Sequence, residues 1–143
     1  MTNSVNESKV FTFHHVGSLT SDLSQAEKTF IELGFTFDER FYDPIQEVNL
    51  SFGRNPMGIL LELVEPQENS KVYKLLKRNG SGPYHICFEV DSIEEGEKSL
   101  GQSGFICVNT PKKAIAFQDR LVAFYYNPVH GVIELLEKSL SSF

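Results

Sequence analysis

The sequence predicts an α+β fold made of two βαβββ modules, and three observations carry that prediction. His15-Val16-Gly17 returns seventy residues later as His85-Ile86-Cys87, Asp22-Leu23 as Ser92-Ile93, and Gly34-Phe35 as Gly104-Phe105. The run Leu60-Leu61-Glu62-Leu63-Val64-Glu65 returns seventy-two residues later as Val132-Ile133-Glu134-Leu135-Leu136-Glu137. Each copy also carries one stretch of helical periodicity among short alternating apolar runs. Self-similarity at a fixed spacing is the signature of a duplicated structural unit.

The elements follow in order. Val10 to Ser18 alternates and reads as a strand. Ser21-Asp22 supplies an N-cap for a helix whose apolar positions are Leu23, Ala26, Phe30, Ile31 and Leu33, and Gly34 ends it. Phe35 to Phe41 reads as a strand, Tyr42-Asp43-Pro44 as a turn, and Glu47 to Phe52 as a strand with Val48, Leu50 and Phe52 on one side. Asn55-Pro56-Met57-Gly58 connects to a strand from Ile59 to Val64 that Pro66 stops. Gln67 to Asn79, capped by Ser70 and striped by Val72, Leu75 and Leu76, predicts a linking helix; Asn79-Gly80-Ser81-Gly82-Pro83 separates the copies. The second copy then gives a strand over Tyr84–Val90, a helix over Ser92–Gly101, and strands over Phe105–Val108, Leu121–Tyr126 and Val132–Glu137. Thr110 to Asp119 reads either as a loop or as a loop with a short strand at Ile115 to Phe117. The expected organisation is a single domain over residues 1–143, with modules at about 10–66 and 84–138 and the linking helix at about 68–79.

The 143 residues suffice for a buried core, and 41% hydrophobic with 22% charged residues is ordinary for a globular chain. A net charge of −6, with Lys and Arg dispersed, argues against a nucleic-acid partner. No apolar run approaches the ~18 residues of a membrane span. Met1 to Lys9 is polar and lacks the layout of a signal peptide, so the expected compartment is the cytoplasm. Two cysteines, Cys87 and Cys107, do not suggest a disulfide framework.

Strand alternation places four ionisable residues. In Tyr84–Val90 the apolar parity is Ile86, Phe88 and Val90, which should face the helix and leave His85 on the opposite side. By the same argument Leu61 and Leu63 leave Glu62, and Ile133 and Leu135 leave Glu134, away from the helix; His15 follows by the repeat. Singly, a strand Glu usually faces solvent and a strand His is usually structural. Two His and two Glu at duplicated positions on one face have the composition of a divalent metal site. Buried carboxylates would cost several kcal/mol each without a compensating cation. Such a set suits octahedral Co, Ni, Mn, Fe or Zn, with two positions open for water or substrate oxygens.

The duplicated βαβββ plan with His15, Glu62, His85 and Glu134 on the inner face resembles the vicinal oxygen chelate superfamily, that of glyoxalases, bleomycin-resistance proteins and extradiol dioxygenases. The resemblance covers Phe13 to Glu137. It is nearest to methylmalonyl-CoA epimerase-like members through three stretches. These are Phe13-His14-His15-Val16-Gly17, Glu62-Leu63-Val64-Glu65-Pro66, and Ser70 through Leu75-Leu76-Lys77-Arg78-Asn79-Gly80 into Tyr84-His85-Ile86-Cys87-Phe88-Glu89-Val90-Asp91. The resemblance implies a curled mixed sheet around a metal-binding cup, with those four residues as ligands of a divalent ion. It also implies a small-molecule substrate, possibly a thioester, and a homodimer. The expected reaction is enolate-stabilising epimerisation or racemisation of a 2-substituted acyl thioester, with Glu134 or Glu62 moving the proton on one face.

Two departures qualify this reading. The position where such epimerases carry a glutamate base holds Ile45, in Pro44-Ile45-Gln46-Glu47-Val48; Glu47 is then the candidate for the second base, beside Asn49 as a substrate contact. Pro111 to Arg120 lacks the epimerases' Gly-rich loop, leaving Lys112 and Arg120 as candidate partners for a substrate carboxylate or phosphate. The missing glutamate favours an alternative, a glyoxalase I (lactoylglutathione lyase)-type lyase, which needs no second base. A third possibility is a non-catalytic small-molecule-binding protein.

Overall fold

The computed structural model describes residues 11–138, which hold ten strands and three helices in an α+β arrangement of parallel and antiparallel strand pairs. Two compact units divide them. One is His15–His85; the other comprises residues 11–14 and 86–138.

In the His15–His85 unit, β1 (Thr12–Leu19, from His15 onward) leads into α1 (Leu23–Glu32), β2 (Thr36–Phe37), β3 (Phe41–Asp43), β4 (Val48–Arg54), β5 (Leu60–Pro66) and α2 (Lys71–Asn79). The strand order is β2-β4-β5-β1, with β3 also on β4. β1 runs parallel to β5, pairing Val16 with Leu61 and Gly17 with Glu62. β4 is antiparallel to β5, pairing Phe52 with Glu62 and Asn49 with Glu65. Leu23, Leu61 and Leu63 form the core beneath α1, with Ala26, Phe30, Phe35 and Phe37 packed against them.

The other unit repeats the plan. β6 (Gly82–Val90, from Ile86 onward), α3 (Ile93–Gln102), β7 (Ile106–Cys107), β8 (Lys112–Ala114), β9 (Arg120–Asn127) and β10 (Gly131–Glu137) give the order β6-β10-β9-β7, with β8 also on β9. β10 runs parallel to β6 and antiparallel to β9, so Glu134 pairs with Cys87 on one side and Phe124 on the other. Val90, Ile93, Ala123, Tyr125 and Leu135 form its core.

Both expected helix starts occur, with a further feature that the sequence did not disclose. Asp22 accepts from the backbone N–H of Gln25, and Ser92 from that of Glu95. The last acid of each repeated run adds a second acceptor. Glu65 accepts from the N–H of Leu23, and Glu137 from that of Ile93, each at 2.9 Å. Both carboxylates satisfy an otherwise orphaned donor and oppose the positive end of the helix dipole.

Several boundaries differ from expectation. The predicted strand Phe35–Phe41 is an edge strand in two pieces, β2 and β3, both on β4. The turn lies later than Tyr42-Asp43-Pro44: Asp43 ends β3 and its carboxylate accepts from the N–H groups of Ile45 and Gln46, an Asx-type turn. Thr110–Asp119 contains a strand, but at Lys112–Ala114, while Ile115–Phe117 is a 3-10 turn. Ile31 and Leu33, assigned to the apolar stripe of α1, are 56% and 64% exposed, because α1 buries only the flank led by Leu23. Val10, predicted to begin the first strand, lies outside the described residues. Among the described residues no helix is long and apolar enough to cross a membrane.

The paired caps predict that Glu137→Ala lowers stability by about 1 kcal/mol, toward the upper end for a carboxylate at a helix N-terminus. Glu65→Ala should cost at least as much, since Glu65 also accepts from the Asn49 side-chain amide. Urea unfolding of both variants checks this; unchanged midpoints would show the caps to be energetically idle.

Candidate metal site

The alternation that buries Leu61 and Leu63 under α1 turns Glu62 to the opposite face of β5. The register brings Gly17 of β1 and Phe52 of β4 alongside it. His15, two residues before Gly17, shares its parity, and its ring meets Phe52 edge-on at 6.4 Å between centroids. His85, on β6, is the last residue of this unit, with its ring 5.4 Å from that of His15. His15, Glu62 and His85 are 0%, 6% and 4% exposed.

Their polar atoms converge. His15 Nε2 lies 3.1 Å from Glu62 Oε1, His85 Nε2 lies 3.4 Å from the same oxygen, and the two Nε2 atoms are 3.3 Å apart. Burial alone would raise the pKa of Glu62. The charge of His15 and hydrogen bonds from His15 and His85 outweigh it, holding the carboxyl well below the usual range. A carboxylate kept ionised beside two imidazole nitrogens is a donor set for a borderline cation. The three residues therefore fit a divalent metal.

Glu134 belongs to the other unit. It is 4% exposed, on the face of β10 away from α3, the parity of Leu136, which packs with Cys87, Ala114 and Val122. Its cross-strand pairing with Cys87 matches that of Glu62 with Gly17, as the repeat requires.

The remaining candidates are placed differently from the expectation. Glu47 is not the first residue of a strand. It lies in the turn before β4 with φ 58°, its N–H bonded to the carbonyl of Asp43, so strand parity does not govern it. Asn49 and Ser51, whose face it was expected to share, project toward α1: Asn49 donates to Glu65, and Ser51 bonds Glu27. The face of β4 beside Glu62 carries the buried Val48, Leu50 and Phe52, with the exposed Arg54 at its end. Ile45 is 56% exposed in the same turn. Arg120 is held by Glu89 at 2.7 Å and lies over the Phe117 ring, while Lys112 is exposed on β8. Sequence reasoning missed Phe52 and Gly17 as neighbours of the ligands, although the repeat offered a hint: the position of Gly17 is a cysteine in the second copy.

Residues 14–124, more than half of the chain, match the model of the Glyoxalase/Bleomycin resistance protein/Dioxygenase superfamily, and the chain belongs to that family. No curated protein sequence matches it significantly. Solved structures share the fold. A hypothetical protein from Bacillus halodurans C-125 superposes with a TM-score of 0.80 at 24% identity, covering 94% of this chain and 99% of its own. Methylmalonyl-CoA epimerase from Mycobacterium tuberculosis gives 0.77 at 23%, covering 92% and 91%. A variant of the Streptomyces coelicolor methylmalonyl-CoA epimerase, in complex with 2-nitronate-propionyl-CoA, gives 0.75 at 22%, covering 92% and 99%.

The depressed pKa of Glu62 fixes the sign of an acid response. Folding favours the ionised form, so the stabilisation is complete above the ordinary glutamate value of 4.5 and is lost as pH falls below it. As pH falls from about 5 to about 3, metal-free wild-type protein should take up more protons on unfolding than Glu62→Gln, the difference rising toward about one near pH 3. The slope of unfolding free energy against pH measures this; equal slopes would mean that Glu62 titrates normally in the fold.

Proposed function

We propose that this protein is a metal-dependent enzyme that moves a proton on the carbon next to a carbonyl, an epimerase or racemase of a 2-substituted acyl thioester. The observation that carries the reading is the meeting of His15 Nε2, His85 Nε2 and Glu62 Oε1 within 3.4 Å of one another. Glu134, buried and equivalent to Glu62 in the repeat, is the proposed fourth ligand. A bound divalent ion (Co, Ni, Mn, Fe or Zn) would supply Lewis acidity to the carbonyl oxygen and so favour the enolate.

The chain's own residues then divide the work. The two imidazoles anchor the ion without adding charge, and each must carry its proton on Nδ1 for Nε2 to act as a ligand. Glu134, buried on β10, is the proposed proton carrier on one face of the α-carbon. Phe52 and Leu50 beside Glu62 exclude water from that side and protect a carbanion-like centre from uncontrolled protonation. Glu47 is the proposed second base. Lys112 is the proposed contact for an anionic part of the substrate, with Arg120 and Asn49 in supporting places already tied to Glu89 and Glu65. The proposed working form is a homodimer in the cytoplasm, acting on a free small molecule.

One observation favours a second reading. The β4 face beside Glu62 carries Val48, Leu50 and Phe52, with Arg54 at its end, and offers no carboxylate, which suits a one-base reaction of the glyoxalase I type. In that case a single carboxylate shuttles the proton within an enediolate and no group is required opposite.

The test is direct. Purified protein should contain about one divalent ion per chain, and His85→Ala or Glu62→Ala should lower that content about 10-fold or more. Loaded protein should exchange the α-proton of methylmalonyl-CoA with deuterium at a rate that Glu134→Gln reduces at least about 100-fold. Turnover of the methylglyoxal–glutathione hemithioacetal without thioester exchange would establish the lyase instead. Ligand binding without exchange in any thioester or hemithioacetal would identify a non-catalytic binder.

A further inference from the structure

We infer that Gly17 is a positioning residue whose missing side chain forms the seat of the His85 imidazole. Gly17 lies on β1 directly across from Glu62 of β5, in parallel register. A Cβ built on Gly17 would stand 2.5 Å from His85 Nε2 and 2.7 Å from Nδ1, and closer still to Cε1. No real Cβ tolerates such contacts, and the obstacle is a buried ring with no free flexible end to move aside. The glycine is not there for backbone freedom, since Gly17 is not among the glycines with positive φ. What the position supplies is space. The ring rests against the bare Cα next to Glu62, and from that seat Nε2 reaches both Glu62 Oε1 and His15 Nε2.

The repeat shows how specific this is. The matching position of the second copy is Cys87, which faces Glu134 across β10 and is fully buried. A side chain is thus accommodated at one copy and forbidden at the other. A second glycine gives the contrast within the same unit: a Cβ on Gly53 would meet the ring of Phe37, in the core beneath α1 and on the opposite face of the strands.

Gly17→Ala should therefore displace His85 and weaken binding of added Zn(II) or Co(II) by about 10–100-fold, the range seen when a ligand's supporting contact is lost. This readout rests on the metal reading proposed above. The imidazole nitrogen and ring-proton NMR signals of His85 in metal-free protein supply an independent one, and they should shift in Gly17→Ala. Gly53→Ala should lose stability while keeping wild-type metal affinity and wild-type His85 signals. If wild-type protein binds no metal, the functional reading fails while the NMR comparison still decides the seat. Should Gly17→Ala fail to fold, Gly17→Ala/His85→Ala should recover folding, because the ring that blocks the new methyl is gone. Unmoved His85 signals, unchanged metal affinity alongside metal binding by the wild type, or a double variant no better folded than the single one would each overturn the inference.

Discussion

A carboxylate taken out of water beside two imidazoles is stable only while all three hold their mutual distances. Burial raises the free energy of the Glu62 anion, and His15 and His85 lower it through charge and hydrogen bonding. Relaxing either histidine by an ångström would leave an uncompensated charge in an apolar strand. The rest of the His15–His85 unit can be understood from this demand. β1 and β5 run in parallel so that His15 and Glu62 face the same way, β4 covers the edge with Phe52, and α1 clamps the reverse face through Leu61 and Leu63. The cost of gathering the three groups is met by strands, which hold their geometry more closely than loops.

Much of this was legible in the sequence because strand alternation has a period of two and leaves little freedom. Once Leu61 and Leu63 are assigned to the helix side, Glu62 has nowhere to go but the other face. The same logic holds for Leu135 and Glu134. The caps Asp22 and Ser70 were equally plain, since each precedes an apolar-periodic stretch. The reading misled at β4. There the sequence offers a polar parity, Asn49 and Ser51, and an apolar one, Leu50 and Phe52, and the polar side was assigned to the site. The structure spends Asn49 on Glu65 and Ser51 on Glu27, which also binds Arg40, so the polar side lies against α1 and the opposite side lies beside Glu62 and His15. Alternation shows that two faces differ, while partners distant in sequence decide which face is which. Glu47 departs from the expected strand placement for a local reason: the Asp43 side chain tightens the preceding turn, and Glu47 takes a left-handed conformation before the strand begins.

Duplication explains the supply of histidines and glutamates, and divergence between the copies explains their fine placement. Each copy provides one histidine and one glutamate at equivalent positions, together with a second glutamate that caps its own helix. The copies part at Gly17 and Cys87, and at the turn holding Ile45 and the strand holding Lys112. Family membership follows from what the copies share.

The spacing of the two glutamates in each repeated run has a consequence for how the chain finds its fold. β5 is apolar on both faces, Leu60 and Val64 on one side and Leu61 and Leu63 on the other, so hydrophobic burial scarcely distinguishes the native pairing from one displaced by a single residue. The acids do distinguish it. Standing three apart, Glu62 and Glu65 point to opposite faces, and one step of slippage would drive the first into the core under α1 and strip the second from the helix end. β10 carries the same pair. The charged residues thus act as a two-sided proofreading mark on strands whose greasy surfaces would otherwise tolerate the wrong alignment.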